Sequence, residues 1–371
     1  MKVLHLTTHL NVGGITSYLQ SLGKAQLKRG HEVSILCSGG ALLEDLQAAG
    51  VRCHVYPIRT KNEIHPKLYF HLVGILRLVQ AEKFDVIHAH TRVTQVLASI
   101  VSKSTRTPYV STAHGFYKPK LGRKIFPSWG DRVIAISPLV AQELKNAHGV
   151  QEQKIITIQN AIDVEELESR LAKEDRLEVR KEYGIPPSAV VVSCISRLVE
   201  DKGHAYLIEA VLKLVKDFPQ IHLVIVGDGR EKEALEKKAG VEAGKRIHFI
   251  ASLKNIAGIL KITDIFAHPA TYREGFGLSV AEAMVANIPV IVTDIPAINA
   301  IIQNGKTGLV VSPKNSEMLA QAIAFLLQDP QAAKQIAESG RQMARELCSL
   351  ERLVNEIEEV YEKVIKEYEK P

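Results

Sequence analysis

The chain has 371 residues, 46% of them hydrophobic and 24% charged, and a net charge of +6. That is too long for one ordinary core and comfortable for two, and no stretch is compositionally simple enough to be read as disordered. The four cysteines, Cys37, Cys53, Cys194 and Cys348, form no CxxC pair, which excludes a disulfide framework. No segment approaches the roughly 20 apolar residues of a membrane-spanning helix. The expected location is therefore the cytoplasm. Charge is unevenly spread: residues 1–160 hold 20 Lys and Arg against 9 Asp and Glu, and residues 161–371 hold 27 against 32. A basic front half suits nucleic acid, an anionic membrane surface or solubility alone, and composition does not choose among them.

In chain order, "MKVLHLTTHL" breaks its apolar run with His5, Thr7, Thr8 and His9, so it reads as a buried first strand and not as a signal peptide. A Gly-Gly turn follows, then a helix with Ile15, Tyr18, Leu19, Leu22 and Ala25 on one face and Gly30 just past its end. Further strands are expected at "HEVSILCS", "DVIHAHT", "PYVSTAH", "RVIAIS" and "KIITIQNAID". A charged linker is expected over residues 165–181. The alternation then restarts with "SAVVVSCISRL", "IHLVIVGDG", "RIHFIAS", "DIFAHPA", "PVIVTD" and "GLVVS". From Ser316 onward the pattern is helical and ends in an apolar stripe at Leu353, Ile357, Val360, Val364 and Ile365. Strands alternating with helices mean parallel sheets. The fold class is α/β, with two Rossmann-like doubly wound domains facing across a cleft. The expected domains are 1–164, 165–350, and a C-terminal helix over 351–371 that packs back on the first.

Ligands of such sheets bind at the carboxyl ends of the strands. After "VVVSCI" come Arg197 and Lys202, two cations before a helix N-terminus and a plausible diphosphate clamp. Alone, they are equally well two solvated surface charges. The turn "GDGR" adds Gly227, a weaker sign, because many strand–helix turns use glycine. The segment that decides is "REGFGLSVAE". Gly275 and Gly277 free the turn, and amides near Phe276, Gly277 and Leu278 would face an anion. Glu274, ahead of those amides, and Glu282, inside the helix, each accept hydrogen bonds from hydroxyls. A ligand with a polyol at each end and phosphates between them satisfies every group. That describes a nucleotide sugar; the alternative, Glu274 as an N-cap-like acid and Glu282 as a surface residue, leaves the co-occurrence with Arg197 and Lys202 unexplained.

These residues resemble the GT-B fold retaining glycosyltransferases of the family 4 type, also termed glycosyl transferases group 1. The resemblance covers nearly the whole chain and rests on the E-x7-E pair Glu274 and Glu282, with "SRLVEDKG", "VIVGDG", "NAID" and "NGKTGLVV" in order. It implies that Arg197 and Lys202 bind the donor diphosphate, that Glu274 contacts the transferred sugar and that Glu282 holds the nucleotide ribose. "NVGG" resembles the family's glycine loop, which places Gly14 near the donor and Gly13, Gly14 and Thr16 on the acceptor side. "STAHGF" ends a strand with His114, which the resemblance puts beside the transferred sugar; His114 and Glu274 are the expected catalytic pair. His88 and His90 share a strand face, but no third or fourth metal ligand is apparent, and they read as cleft lining. Three positions depart from the family pattern: Ser196 and Asn287, where glycines are usual, and Ala300, where a glutamate is common.

The expected activity is transfer of a sugar, with retention, from a nucleotide diphosphate sugar to a hydroxyl of a glycan or lipid-linked acceptor. A UDP-sugar is favoured and a GDP-sugar is the second option. The setting implied is bacterial cell-surface polysaccharide or glycolipid synthesis. No D-x-D pair occurs, so no metal and no other cofactor is expected. The basic, aromatic stretch from Lys118 to Trp129 suits peripheral contact with the inner face of a membrane and equally a solvated loop. A sugar-phosphate synthase or nucleotide-sugar epimerase of the same fold is the nearest alternative. A non-enzymatic nucleic-acid binder is disfavoured for want of a reading motif, and a dehydrogenase for want of GxGxxG with a following acid.

Overall fold

Every strand pairing among the described residues is parallel. The computed structural model describes all residues except 61, 63–64, 118–121, 124–125, 300 and 370–371. The chain forms two compact units: Met1–Ala161 with the C-terminal segment from Leu350, and Ile162–Ser349.

The first unit holds β1 (Lys2–Leu6), β2 (Glu32–Cys37), β3 (Arg52–Val55), β4 (Val86–Ala89), β5 (Tyr109–Ala113), β6 (Arg132–Ala135) and β7 (Ile155–Thr157), in the order β3-β2-β1-β4-β5-β6-β7. The second holds β8 (Val190–Ile195), β9 (Ile221–Val226), β10 (Ile247–Ile250), β11 (Ile265–His268), β12 (Val290–Thr293) and β13 (Leu309–Val311), in the order β10-β9-β8-β11-β12-β13. Central strands such as β9, "IHLVIV", are buried at every residue. This is the mark of a parallel sheet covered by helices on both faces. Both sheets grow outward from one strand and then reverse, between β1 and β4 and between β8 and β11. Loops leaving the two strands at a reversal diverge to opposite faces and leave a crevice at their carboxyl ends. β3, "RCHV", was not expected from the sequence: it is a short edge strand with no fully buried residue, so it carries no hydrophobic signature.

The expected linker over residues 165–181 is corrected. It forms two helices of the second unit, Val164–Lys173 and Arg176–Glu182, capped by the side chains of Asp163 and Asp175. Three of its charges are tied to partners far along the chain. Arg176 and Arg180 pair with Asp264, and Glu168 pairs with Arg341 and Arg345. Charge density that looks solvated in sequence is here a set of ties to the sheet and to the Pro330–Leu347 helix.

The last helix, Leu350–Tyr368, buries Leu353, Val354, Ile357, Val360, Tyr361 and Val364 against Val3, Tyr18, Leu22, Val86, Val110 and Ile134. These positions recur every three or four residues, so one face of the helix completes the first unit's core. Arg29 and His31 bond Glu358 at 2.8 Å each and fix the rim. Ile357→Ala is expected to destabilise this unit by about 2–5 kcal/mol. Urea unfolding followed by the fluorescence of Trp129, the only tryptophan and one buried in this unit, measures it; a loss below about 1 kcal/mol would mean that the helix is an appendage.

Candidate functional site

In the second unit, the loops that follow β8 and β11 are fastened to each other. Thr271 N donates to the Asp201 carbonyl at 2.8 Å, and Thr293 Oγ1, at the end of β12, donates to the Ala270 carbonyl at 2.5 Å. Gly203 sits between the loops at φ +68°, and a Cβ there would lie 1.9 Å from the Pro269 carbonyl oxygen. Only glycine fits. This clamp brings together two residues 72 positions apart, as Lys202 Nζ forms a short ion pair with Glu274 Oε2. His268 Nε2, at the end of β11, bonds the same carboxylate oxygen at 3.1 Å, and Gly275 N donates to Oε1 at 3.1 Å. Burial pushes the Glu274 carboxyl up, but the His268 hydrogen bond and the Lys202 charge outweigh it and hold the group well below the usual carboxylate range.

The Leu278–Val285 helix begins beside this carboxylate. Its N-cap, Gly277, has φ +85° and no side chain to offer, and among the described residues nothing accepts from the amides of Gly277, Leu278 and Ser279. The N-terminus is thus an uncapped donor end, with Phe276 buried beneath it. Glu282 lies one turn further in, and burial, only partly offset by Arg170, pushes its carboxyl up to about 7. Gly227, after β9, packs on the β8 end: a Cβ there would meet the Ser196 carbonyl oxygen at 2.0 Å. The Arg197 side chain is exposed and has no partner among the described residues. The expected donor set therefore divides into Lys202 and Glu274 in direct contact, Gly227, Phe276, Gly277, Leu278 and Glu282 in the surrounding frame, and Arg197 open to solvent.

His268 was not anticipated. Its signal was present in "DIFAHPA", a histidine closing a strand, but nothing in the spacing pointed it at Glu274. Two departures from the family pattern have local causes. Ser196 Oγ bonds His204 Nε2, which is buried, at 3.0 Å. Asn287 has φ +61° just past the helix C-cap, a left-handed position that asparagine tolerates better than most residues. Ala300 lies outside the described residues.

In the first unit, Gly13 and Gly14 are exposed at the start of the Gly14–Lys28 helix, whereas Thr16 is 2% exposed. His114, directly after β5, is half-buried, and burial lowers its pKa to about 3. The reading of His88 and His90 as cleft lining is corrected, since both are fully buried. They form a ladder with His5, which faces His88 across the β1–β4 register, and the three come within metal-ligating distance of one another. All six ring nitrogens are engaged, with Gln26, Tyr361, Thr112, His114 and one another, so hydrogen bonds organise the cluster. In the stretch Lys118 to Trp129, residues 118–121 and 124–125 lie outside the described residues. Arg123 stacks on Tyr117 at 4.4 Å and Trp129 packs on Tyr117 and His148, both turned inward, which leaves Phe126 and Pro127 exposed among the described residues of the stretch. Among the described residues no helix is long and apolar enough to cross a membrane.

The family model described as Glycosyltransferase Family 4 matches residues 12–166, and that described as Glycosyl transferases group 1 matches residues 175–343. The chain belongs to the family 4 glycosyltransferases of GT-B architecture. Among relatives of this glycosyltransferase is the N-acetyl-alpha-D-glucosaminyl L-malate synthase of Bacillus anthracis, 26% identical over 98% of this chain and 97% of the relative. Another is the UDP-Gal:alpha-D-GlcNAc-diphosphoundecaprenol alpha-1,3-galactosyltransferase of Escherichia coli, 25% identical over 80% of each chain. The solved structure of Anabaena HepE in complex with UDP-glucose superposes with a TM-score of 0.82 at 22% identity, covering 98% of this chain and all of that one.

The raised Glu282 carboxyl has a consequence for stability. Its folded value of about 7 exceeds the ordinary 4.5, so the folded state binds the extra proton, and stability present below about pH 4.5 is lost as pH rises through 7. Glu282→Gln is expected to match the wild type near pH 4 and to exceed it by on the order of 2–3 kcal/mol at pH 8. Calorimetric unfolding at the two pH values measures this; equal stabilities at pH 8 would place the ordinary carboxyl value on Glu282.

Proposed function

We propose that this glycosyltransferase moves a sugar, with retention and without a divalent metal, from a nucleotide diphosphate sugar to an acceptor hydroxyl. The observation that carries the reading is the uncapped helix N-terminus flanked by Glu274, itself paired with Lys202 and His268, and by Glu282. Bare amides and nearby cations suit a diphosphate, and carboxylates on either side suit the hydroxyls of sugar and ribose. Arg197 and Lys202 take the diphosphate, which competes with Glu274 for the Lys202 ammonium. Glu274, freed from part of its ion pair, accepts from the transferred sugar, and Glu282 accepts from the ribose diol. The two cations and the helix end neutralise the leaving group in place of a metal. The departing phosphate oxygen assists deprotonation of the acceptor on the same face, while Glu274 and His114 position and stabilise an oxocarbenium-like sugar.

A UDP-sugar is the favoured donor, since the neighbour of like fold was solved with UDP-glucose and the name of the Escherichia coli relative carries UDP-Gal. That same name supports a lipid-linked acceptor, whereas the Bacillus anthracis relative is named for L-malate. We favour a glycan or lipid-linked hydroxyl. Thermal shifts against UDP, GDP, ADP and their sugar conjugates, with EDTA present, test the donor site. UDP compounds at about 100 times their Kd are expected to stabilise the wild type by about 2.7 kcal/mol, and Arg197→Ala is expected to lose most of that. No shift with any nucleotide, or a shift seen only when metal is supplied, would overturn the proposal.

A further inference from the structure

Only the last ring of the first unit's histidine ladder enters the chemistry above, yet the ladder has a direction. Gln26 presents its Oε1 to His5 Nε2 at 2.9 Å, and an amide oxygen only accepts, so His5 carries its proton on Nε2. A neutral imidazole then has a bare Nδ1, and His90 Nε2 at 3.0 Å donates to it. That leaves His90 with a bare Nδ1, which accepts from His114 Nε2 at 3.1 Å. We propose that the relay Gln26–His5–His90 holds His114 in the Nε2-protonated tautomer, so that its Nδ1 presents a lone pair that accepts a hydroxyl hydrogen of the transferred sugar. Gln26, His5 and His90 are positioning residues.

The second half of the proposal rests on the reading that His114 lies beside that sugar, and the first half stands on geometry within one unit. Three further observations fit. Every ring must be neutral for the direction to propagate, and burial lowers His5 to about 4, His114 to about 3 and His90 well below the ordinary value. No described residue bonds His114 Nδ1, so that nitrogen is the open end of the relay. The Tyr18 ring meets His114 edge-on at 4.8 Å and also lies against His90 at 5.8 Å, which locks the imidazole planes that the relay needs. A core of this kind is otherwise filled more favourably by apolar side chains. With the Gln26 amide turned the other way every donor reverses, and His114 would carry its proton on Nδ1. The tautomer is thus the deciding observable.

The test is ring ¹⁵N NMR of the full chain labelled at histidine, with His114 assigned by its loss in His114→Ala. The expected spectrum shows a pyridine-type Nδ1 and a pyrrole-type Nε2 at His114. Gln26→Met is expected to replace this with a tautomer average and to lower kcat for UDP release from UDP-glucose roughly five- to tenfold at unchanged KM, the loss of one hydrogen bond's bias. Gln26→Glu, which keeps an acceptor at that point, is expected to restore both. A thermal melt checks that each variant is folded, and the wild-type spectrum needs no variant. A proton on Nδ1 in the wild type, or an unchanged His114 spectrum in Gln26→Met, overturns the relay. A fixed tautomer combined with full UDP release by His114→Ala leaves the relay standing and overturns the placement of His114 beside the sugar.

Discussion

The ion pair between Lys202 and Glu274 is the contact on which the second unit's site depends. It joins the loop after β8 to the loop after β11, and the rest of the local structure serves to hold it there. Gly203 lets the two backbones touch, Thr271 and Thr293 tie the second loop down, and His268 takes the same carboxylate oxygen from the strand end. A carboxylate buried this far is tolerable only when charge and hydrogen bonds compensate it. The compensation here comes from a cation that an incoming diphosphate would also attract. Such a pair holds both charges in a satisfied state and orients the carboxylate beside an uncapped helix.

Both sheets place their distinctive polar groups where the strand order reverses. In the second unit, β8 and β11 flank the reversal, and the loops that follow them carry Lys202 and Glu274. In the first, β1 and β4 flank it, and His5, His88 and His90 sit on or just beyond these strands, with His114 one strand further along. The physical cause is shared. Crossovers leaving in opposite directions cannot cover the strand ends between them, so the chain can hold polar groups there without crowding the core. The two units differ: the second sets a charged cluster at the strand ends, and the first buries a neutral histidine ladder beside them.

Much of the fold was legible because buried parallel strands write themselves as β-branched runs: all the expected strands are present, from "KVLHLTT" to "GLVVS". The one missed, β3, is an edge strand whose "RCHV" buries too little to show a pattern. The charged stretch after residue 164 was misread for the converse reason, since Arg176, Arg180 and Glu168 find partners far away in sequence. At the site, the motif around Glu274 and Glu282 was readable because adjacent residues share a turn and a helix. His268 and the burial of Thr16, His88, Arg123 and Trp129 were not, because each depends on which face of an element meets another.

What the sequence by itself determined is local and periodic: two successive parallel α/β sheets, the glycines that a turn requires, and the acids that flank a helix start. These follow from spacing of a few residues, where the chain's own geometry sets neighbours. Only the tertiary structure decided which polar groups touch. Lys202 meets Glu274 across 72 positions, His5 reaches His90 across 85, and Tyr361 closes on His88 across 273. Such pairings arise when strands far apart in the chain are set side by side by a sheet order that reverses, and no periodicity in the sequence encodes their distance.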